Sequence, residues 1–189
     1  MRNGRGLLTW ASGNRYDGEW VNGEQTGQGV MTYANGNRYE GSWVNGEQSG
    51  HGVMTYTNGN RYDGNWEHGE RQGNGLLVLS NGERYEGNFV KGKENGYGVK
   101  TWPKGDRYEG NWSDGMRSGH GVYTWENGDK YEGEYLKGKR HGRGVMTWSN
   151  GDRYEGNWKD GMMNGEGTMF YSDGEQESGE WLNDALIEN

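Results

Sequence analysis

A 23-residue period runs through this chain and leaves few folds open to it. The segment Tyr39-Glu40-Gly41-Ser42-Trp43-Val44-Asn45-Gly46 has close copies starting at Tyr16, Tyr62, Tyr85, Tyr108, Tyr131 and Tyr154. Residues 1–15 match only the second half of a unit, with Gly4, Gly6, Trp10 and Gly13 in register. Seven full units fill 16–176, and 177–189 hold a decayed copy, Glu177-Ser178-Gly179-Glu180-Trp181, followed by a short tail. All 39 glycines fall in the columns of Gly18, Gly23, Gly27, Gly29 and Gly36, and all ten tryptophans in those of Trp20 and Tyr33. A unit this small cannot bury an apolar face alone, so the chain reads as one array of stacked units, 1–189, with stability shared between neighbours.

Composition alone points the wrong way. With 29% hydrophobic residues and a mean hydropathy of −1.28, the chain resembles a linker that cannot offset the entropy of ordering. The aromatic columns reverse that reading, because Trp and Tyr each bury a large area and neighbouring units can stack them. Without cysteine there is neither a disulfide framework nor a thiolate site, which fits a reducing compartment. The N-terminus lacks the apolar stretch of a secretion signal and no run approaches membrane-spanning length, so a cytoplasmic location is expected. A net charge of −8 argues against nucleic acid and against an anionic membrane as the main partner.

Within a unit, Arg15-Tyr16-Asp17-Gly18-Glu19-Trp20 alternates strictly, placing Tyr16, Gly18 and Trp20 on one face of a strand. A turn follows at Val21-Asn22-Gly23, then an irregular stretch to Gly27, then a second strand from Gln28 to Tyr33. The next turn, Ala34-Asn35-Gly36, has Pro103 in its first column in a later unit. A two-residue Asn-Gly turn would need a ladder N–H there. Proline has none but suits a type I turn, so a three-residue loop closed by a glycine bulge is expected. In that register Tyr33 faces Asn37, Met31 faces Tyr39 and Gly29 faces Gly41. The Tyr33, Met31, Tyr39 and Trp43 columns share one glycine-floored face, and Val30, Thr32, Arg38 and Glu40 the other. The Asn22-Gly23 side does not count out against this parity, which predicts a bulge near Gly27 and leaves that register open.

Repeats reading Tyr-Glu-Gly-x-Trp-x-x-Gly-x-x-x-Gly-x-Gly at this spacing resemble MORN (membrane occupation and recognition nexus) repeats over nearly the whole chain. The resemblance implies an all-β, elongated, single-layer antiparallel sheet or solenoid of stacked β-hairpins, with a groove that binds protein segments in some members. Similar repeats accompany phosphatidylinositol phosphate kinase and lysine methyltransferase domains and occur in junctophilins, where a membrane-contact role is attributed to them. No such catalytic domain stands in this sequence, and the tail from Trp181 reads as a strand end leading to a short cap from about Asn183.

Catalysis is not expected, nor any cofactor or metal. Of His51, His68, His120 and His141, only His51 and His120 share a column, three units apart, roughly 30 Å by strand spacing. The carboxylates Asp17, Glu40, Asp63, Glu86, Glu109, Glu132 and Glu155 recur once per unit, and each follows an Arg or Lys by two residues on one face. That pattern predicts a charge ladder on an exposed sheet face. Gly27-x-Gly29 resembles a phosphate loop only superficially, since no helix follows it.

The aromatic face carries the functional expectation, because a single layer has no second layer to cover it. The residues expected to line a partner-binding groove are Tyr33, Trp43, Tyr56, Trp66, Trp102, Trp112, Trp125, Trp148 and Trp158. The reading is a non-catalytic scaffold that binds a protein or peptide segment. The alternatives are self-assembly through the exposed strand edges and phospholipid recognition. A start in mid-repeat suggests a fragment or truncated array, mainly monomeric, whose complementary ends associate once residues 182–189 are removed.

Overall fold

The computed structural model describes residues 1–187. Residues 1–93 form one compact unit and 94–189 a second. The first holds β1 (Gly4–Thr9), β2 (Arg15–Val21), β3 (Glu24–Thr32), β4 (Arg38–Val44), β5 (Glu47–Thr55), β6 (Arg61–Glu67), β7 (Glu70–Val78) and β8 (Arg84–Val90). The second holds β9, which begins at the boundary (Lys93–Thr101), β10 (Arg107–Ser113), β11 (Met116–Thr124), β12 (Lys130–Leu136), β13 (Lys139–Thr147), β14 (Arg153–Lys159), β15 (Met162–Phe170), β16 (Gln176–Leu182) and β17 (Ala185–Leu186). Within each unit every strand pairs antiparallel with its sequence neighbours, so the protein is all-β and built of consecutive hairpins. Among the described residues no helix is long and apolar enough to cross a membrane.

The loop from β3 to β4 has the three-residue form that Pro103 predicts. Tyr33 N–H donates to Asn37 O at 2.8 Å, Gly36 N–H donates to Tyr33 O at 2.8 Å, and Gly36 is left-handed at φ +85°. Pro103 sits in the same loop, where Trp102 N–H donates to Asp106 O at 2.9 Å and no bond is asked of the proline. The expected pairs Met31↔Tyr39 and Gly29↔Gly41 both occur.

The other turn departs from the sequence reading. Residues 24–27 are not irregular: β3 runs unbroken from Glu24, and Val21 pairs directly with Glu24 across Asn22 and Gly23. Asn22 (φ +53°) and Gly23 (φ +89°) are both left-handed, the signature of a two-residue type I′ turn. The mismatch with Gly18↔Gly29 is absorbed where the register shifts from Gly29 to Thr26, beside a left-handed Gly27. The bulge therefore lies where it was expected, and it lets the ladder resume instead of ending.

Hydrogen bonds at both kinds of turn tie successive repeats together. At the type I′ turns Gly46 N–H donates to Gln25 O at 3.0 Å and Gly138 N–H to Arg117 O at 2.9 Å. At the three-residue loops the Asn37 and Asp129 side chains accept from Thr57 N–H at 3.0 Å and Ser149 N–H at 2.8 Å. These backbone donors hold the Asp129 and Asp152 carboxyls below their usual range. Among the described residues the tail forms no helix. It makes one more turn at Asn183 and Asp184 and adds β17 against β16, with Leu186 opposite Trp181; residues 188 and 189 lie outside the described residues.

Candidate functional site

Each repeat's tyrosine lies over a cross-strand glycine pair because any side chain there would occupy the ring's place. A Cβ on Gly75 would stand 2.6 Å from Tyr62 Cζ. The rings of Tyr16, Tyr39, Tyr62, Tyr108, Tyr131 and Tyr154 are wholly buried. Each of these six meets two partners edge-on: Tyr39 has Trp43 at 5.2 Å and Trp66 at 5.3 Å, and Tyr131 has Tyr135 at 5.3 Å and Trp158 at 5.2 Å. Such a pair adds about 0.5–1.5 kcal/mol beyond area burial. The indole N–H groups are also engaged, Trp43 donating to Gly29 O at 3.2 Å and Trp66 to Gly52 O at 3.0 Å.

This zigzag divides the expected groove residues. Trp43, Trp66, Trp112 and Trp158 are 3–6% exposed and belong to the core, Trp43, Trp66 and Trp158 each lying between two successive tyrosines. Tyr33, Tyr56, Trp102, Trp125 and Trp148, at the loop end of the hairpins, keep part of their surface exposed. The Tyr33 hydroxyl accepts from Gln48 Nε2 at 2.9 Å. In the second unit Trp102 and Trp125 flank Tyr123 at 5.5 Å and 4.6 Å.

The sequence reading missed a column that faces these rings, that of Gln25, Gln48, Arg71, Glu94, Arg117, Arg140 and Met163. Its members pair with the Trp20 column, as Trp20↔Gln25 and Tyr135↔Arg140 show, and so return to the aromatic face. The Asn-Gly dipeptide was the available signal, since a two-residue turn fixes this pairing. Arg117 lies over Tyr108, Tyr123 and Tyr135 at 5.1–5.7 Å, and Arg140 over Trp158 at 4.2 Å. Each donates Nη2 to a turn carbonyl, Gly138 O at 2.7 Å and Gly161 O at 2.6 Å. Burial pulls the Arg140 guanidinium below its ordinary pKa.

A groove of about 200 Å³ opens on this face, lined by Arg117, Trp125, Tyr135, Lys139 and Arg140 with Gly138 and Gly161. Lys139 is paired with Asp160 at 3.5 Å. Nearby, Asp106 accepts from Tyr123 OH at 2.7 Å.

The opposite face carries the charge ladder, with Arg38–Glu40 at 2.6 Å, Arg61–Asp63 at 2.7 Å, Lys130–Glu132 at 2.7 Å and an Arg153–Glu155 pair. His51 and His68 are exposed and pair with Asp63 at 2.9 Å and Glu47 at 2.8 Å, a solvated role. Among the described residues no cluster of three or more His, Cys, Asp or Glu is placed to hold a metal.

The buried tyrosines make the fold sensitive to alkali. Desolvation pushes Tyr16, Tyr62 and Tyr154 up to about 12, and raises Tyr39, Tyr108 and Tyr131 further. A folded-state pKa above the unfolded value near 10 means that the stabilisation is complete below about pH 10 and is lost as pH rises through about 12. Absorbance at 295 nm is expected to show the column tyrosines ionising together with loss of the folded circular dichroism signal. Their full ionisation near pH 10 with the fold intact would refute the buried column.

Comparison with known proteins agrees with this architecture. The MORN repeat family matches eight consecutive segments, 1–15, 16–38, 39–61, 62–84, 85–107, 108–130, 131–153 and 154–176. No curated protein sequence matches the chain. Among solved structures, the SAS-4 (dCPAP) TCP domain of Drosophila melanogaster, in complex with a proline-rich motif of Ana2 (dSTIL), is similar at 12% identity and a TM-score of 0.50, over 92% of this chain and 88% of that one. The CPAP G-box domain of the microcephaly protein aligns at 13% identity and a TM-score of 0.42, over 95% of this chain and all of that one. A repeated hairpin whose tyrosine seals a glycine pair between aromatic rings, matched by the family's repeat along residues 1–176, places this chain in the MORN repeat family.

Proposed function

We propose that the protein is a non-catalytic interaction scaffold that binds a protein segment on its aromatic face. One observation carries the reading: Trp125 lines a groove, and Trp102 and Trp148 in the same column also keep partly exposed rings, while the Tyr16 and Trp20 columns are consumed by the core. Large aromatic side chains supply much of the energy of protein interfaces when a partner finishes burying them. The SAS-4 domain, similar in fold, holds a proline-rich motif, which supports a peptide partner. The repeated carboxylates Glu40, Asp63 and Glu132 are paired with neighbouring cations on the opposite face.

Panning a random 12-mer phage library on the protein tests this. The wild type is expected to enrich binders, and a Trp102→Ala, Trp125→Ala, Trp148→Ala variant that keeps its circular dichroism spectrum is expected to lose them. Charge reversal at Arg107 and Arg153 on the opposite face should change only the rate or salt dependence. If that reversal abolishes capture and the tryptophan changes do not, the partner sits on the charged face.

A further inference from the structure

We propose that the groove between Trp125 and the Arg117–Arg140 pair selects peptide segments carrying a carboxylate beside an apolar residue, the acid seated on the two guanidinium groups and the apolar side chain on the indole. The inference rests on the reading of the aromatic face as the binding surface and adds the chemistry of its ligand.

Charge supplies the first argument. The protein carries a net −8, and on the opposite face its cations are matched with carboxylates repeat by repeat. Arg117 and Arg140 depart from that rule. Both project from the turn end of successive repeats onto the aromatic face, and among the described residues neither forms an ion pair, their partners being the Gly138 and Gly161 carbonyls, aromatic rings and, for Arg140, the Met146 sulfur at 3.8 Å. A guanidinium has five N–H donors, so both retain donors after these contacts. Two like charges line one groove; burial chiefly disfavours the charged form of Arg140, the Asp184 carboxylate favours it, and the Arg117 charge opposes it least. An anion held between them would answer the charge of both and complete their hydrogen bonding, with the planar fork matched to a carboxylate.

Position supplies the second argument. The equivalent residues in other repeats are Gln25, Gln48, Arg71, Glu94 and Met163; Gln48 spends its amide on Tyr33, and Arg71 has Gln48 and Glu94, not arginine, in the repeats on either side. Adjacent repeats with arginine in this column occur only at 117 and 140, beside the tryptophan column at Trp125. The stacking that holds each guanidinium over rings fixes it before a ligand arrives, which lowers the ordering cost of binding. Asp160 already neutralises Lys139, which leaves the two arginines as the groove's cations, with Asp184 the carboxylate that acts on Arg140.

The same 12-mer library distinguishes this inference from the broader one. Peptides selected on the wild type are expected to be enriched in Asp or Glu next to an apolar residue. Changing that acid to its amide, or Arg117→Gln with Arg140→Gln in the protein, should weaken a selected peptide at least about tenfold, as expected when one member of a desolvated charge pair is removed. Arg107→Gln on the opposite face removes the same charge and should leave affinity unchanged. Arg140→Lys should lose part of the affinity, because it keeps the charge without the fork. Selected peptides that lack acids and bind the double variant equally well would overturn the proposal while leaving the aromatic scaffold standing. Selection of no peptide, or capture instead by vesicles containing phosphatidylinositol 4,5-bisphosphate, would overturn both.

Discussion

Gly64→Ala is expected to destabilise the protein by about 3 kcal/mol or more, although it adds a single methyl group. The backbone at Gly64 is not left-handed, so conformation does not forbid alanine; space does. A Cβ there would stand 2.5 Å from the Gly75 Cα, 2.6 Å from the Tyr62 hydroxyl and 2.8 Å from the Asn74 carbonyl. Two of these are backbone atoms of the paired strand, and the third belongs to a ring locked between Trp66 and Phe89. Neither can yield without opening the ladder. For a protein of this size the melting temperature should fall by roughly 6–12 °C. Gly23→Ala is the contrast: nothing lies within 4 Å of its Cβ, so only its φ of +89° is at stake, at about 1 kcal/mol. Equal losses for the two variants would show that glycine serves this fold only through its conformational freedom.

Trp66→Ala should cost about 3–5 kcal/mol, the range for emptying an aromatic core position. The indole is edge-on to Tyr39 at 5.3 Å and to Tyr62 at 5.2 Å, so its loss opens a gap between two repeats. Trp66→Phe should cost only about 1 kcal/mol, mainly the N–H bond to Gly52 O at 3.0 Å. The next repeat already carries this experiment in its sequence. Phe89 occupies the same column and keeps edge-on contact with Tyr62 and Tyr85 at 5.1 Å. Urea unfolding of the two variants measures the difference, and a phenylalanine variant as unstable as the alanine one would mean that the hydrogen bond, and not the ring, holds the repeats together.

Period and turn chemistry made the repeat, the strands and one of the two turns legible from the amino acids. Pro103 settled the three-residue loop because a missing N–H is a local fact with a local consequence. The glycine floor was readable for a similar reason: alternation places Gly18 and Gly29 on the same face as Tyr16, whatever the neighbouring repeats do. Asn22-Gly23 held equally local information, but the bulge beside Gly27 hid it, since a register that shifts within a hairpin cannot be counted from one end.

What residue order left undecided was which aromatic column becomes core and which stays at the surface. Trp43 and Trp125 are the same residue type, both on the apolar face by alternation. Trp43 is buried because Tyr16 of the preceding repeat and Tyr39 of its own close on it from both sides, and Trp125 keeps an exposed edge at the loop end of the hairpin. The arginines in the groove follow the same logic, for Arg117 and Arg140 reach the rings only because the ladder resumes after the bulge and turns them onto that face. Burial and unmatched charge are set by neighbours brought together across strands and between repeats. A periodic sequence states which residues are equivalent, and only the stacked structure decides which of them water, or a partner, can reach.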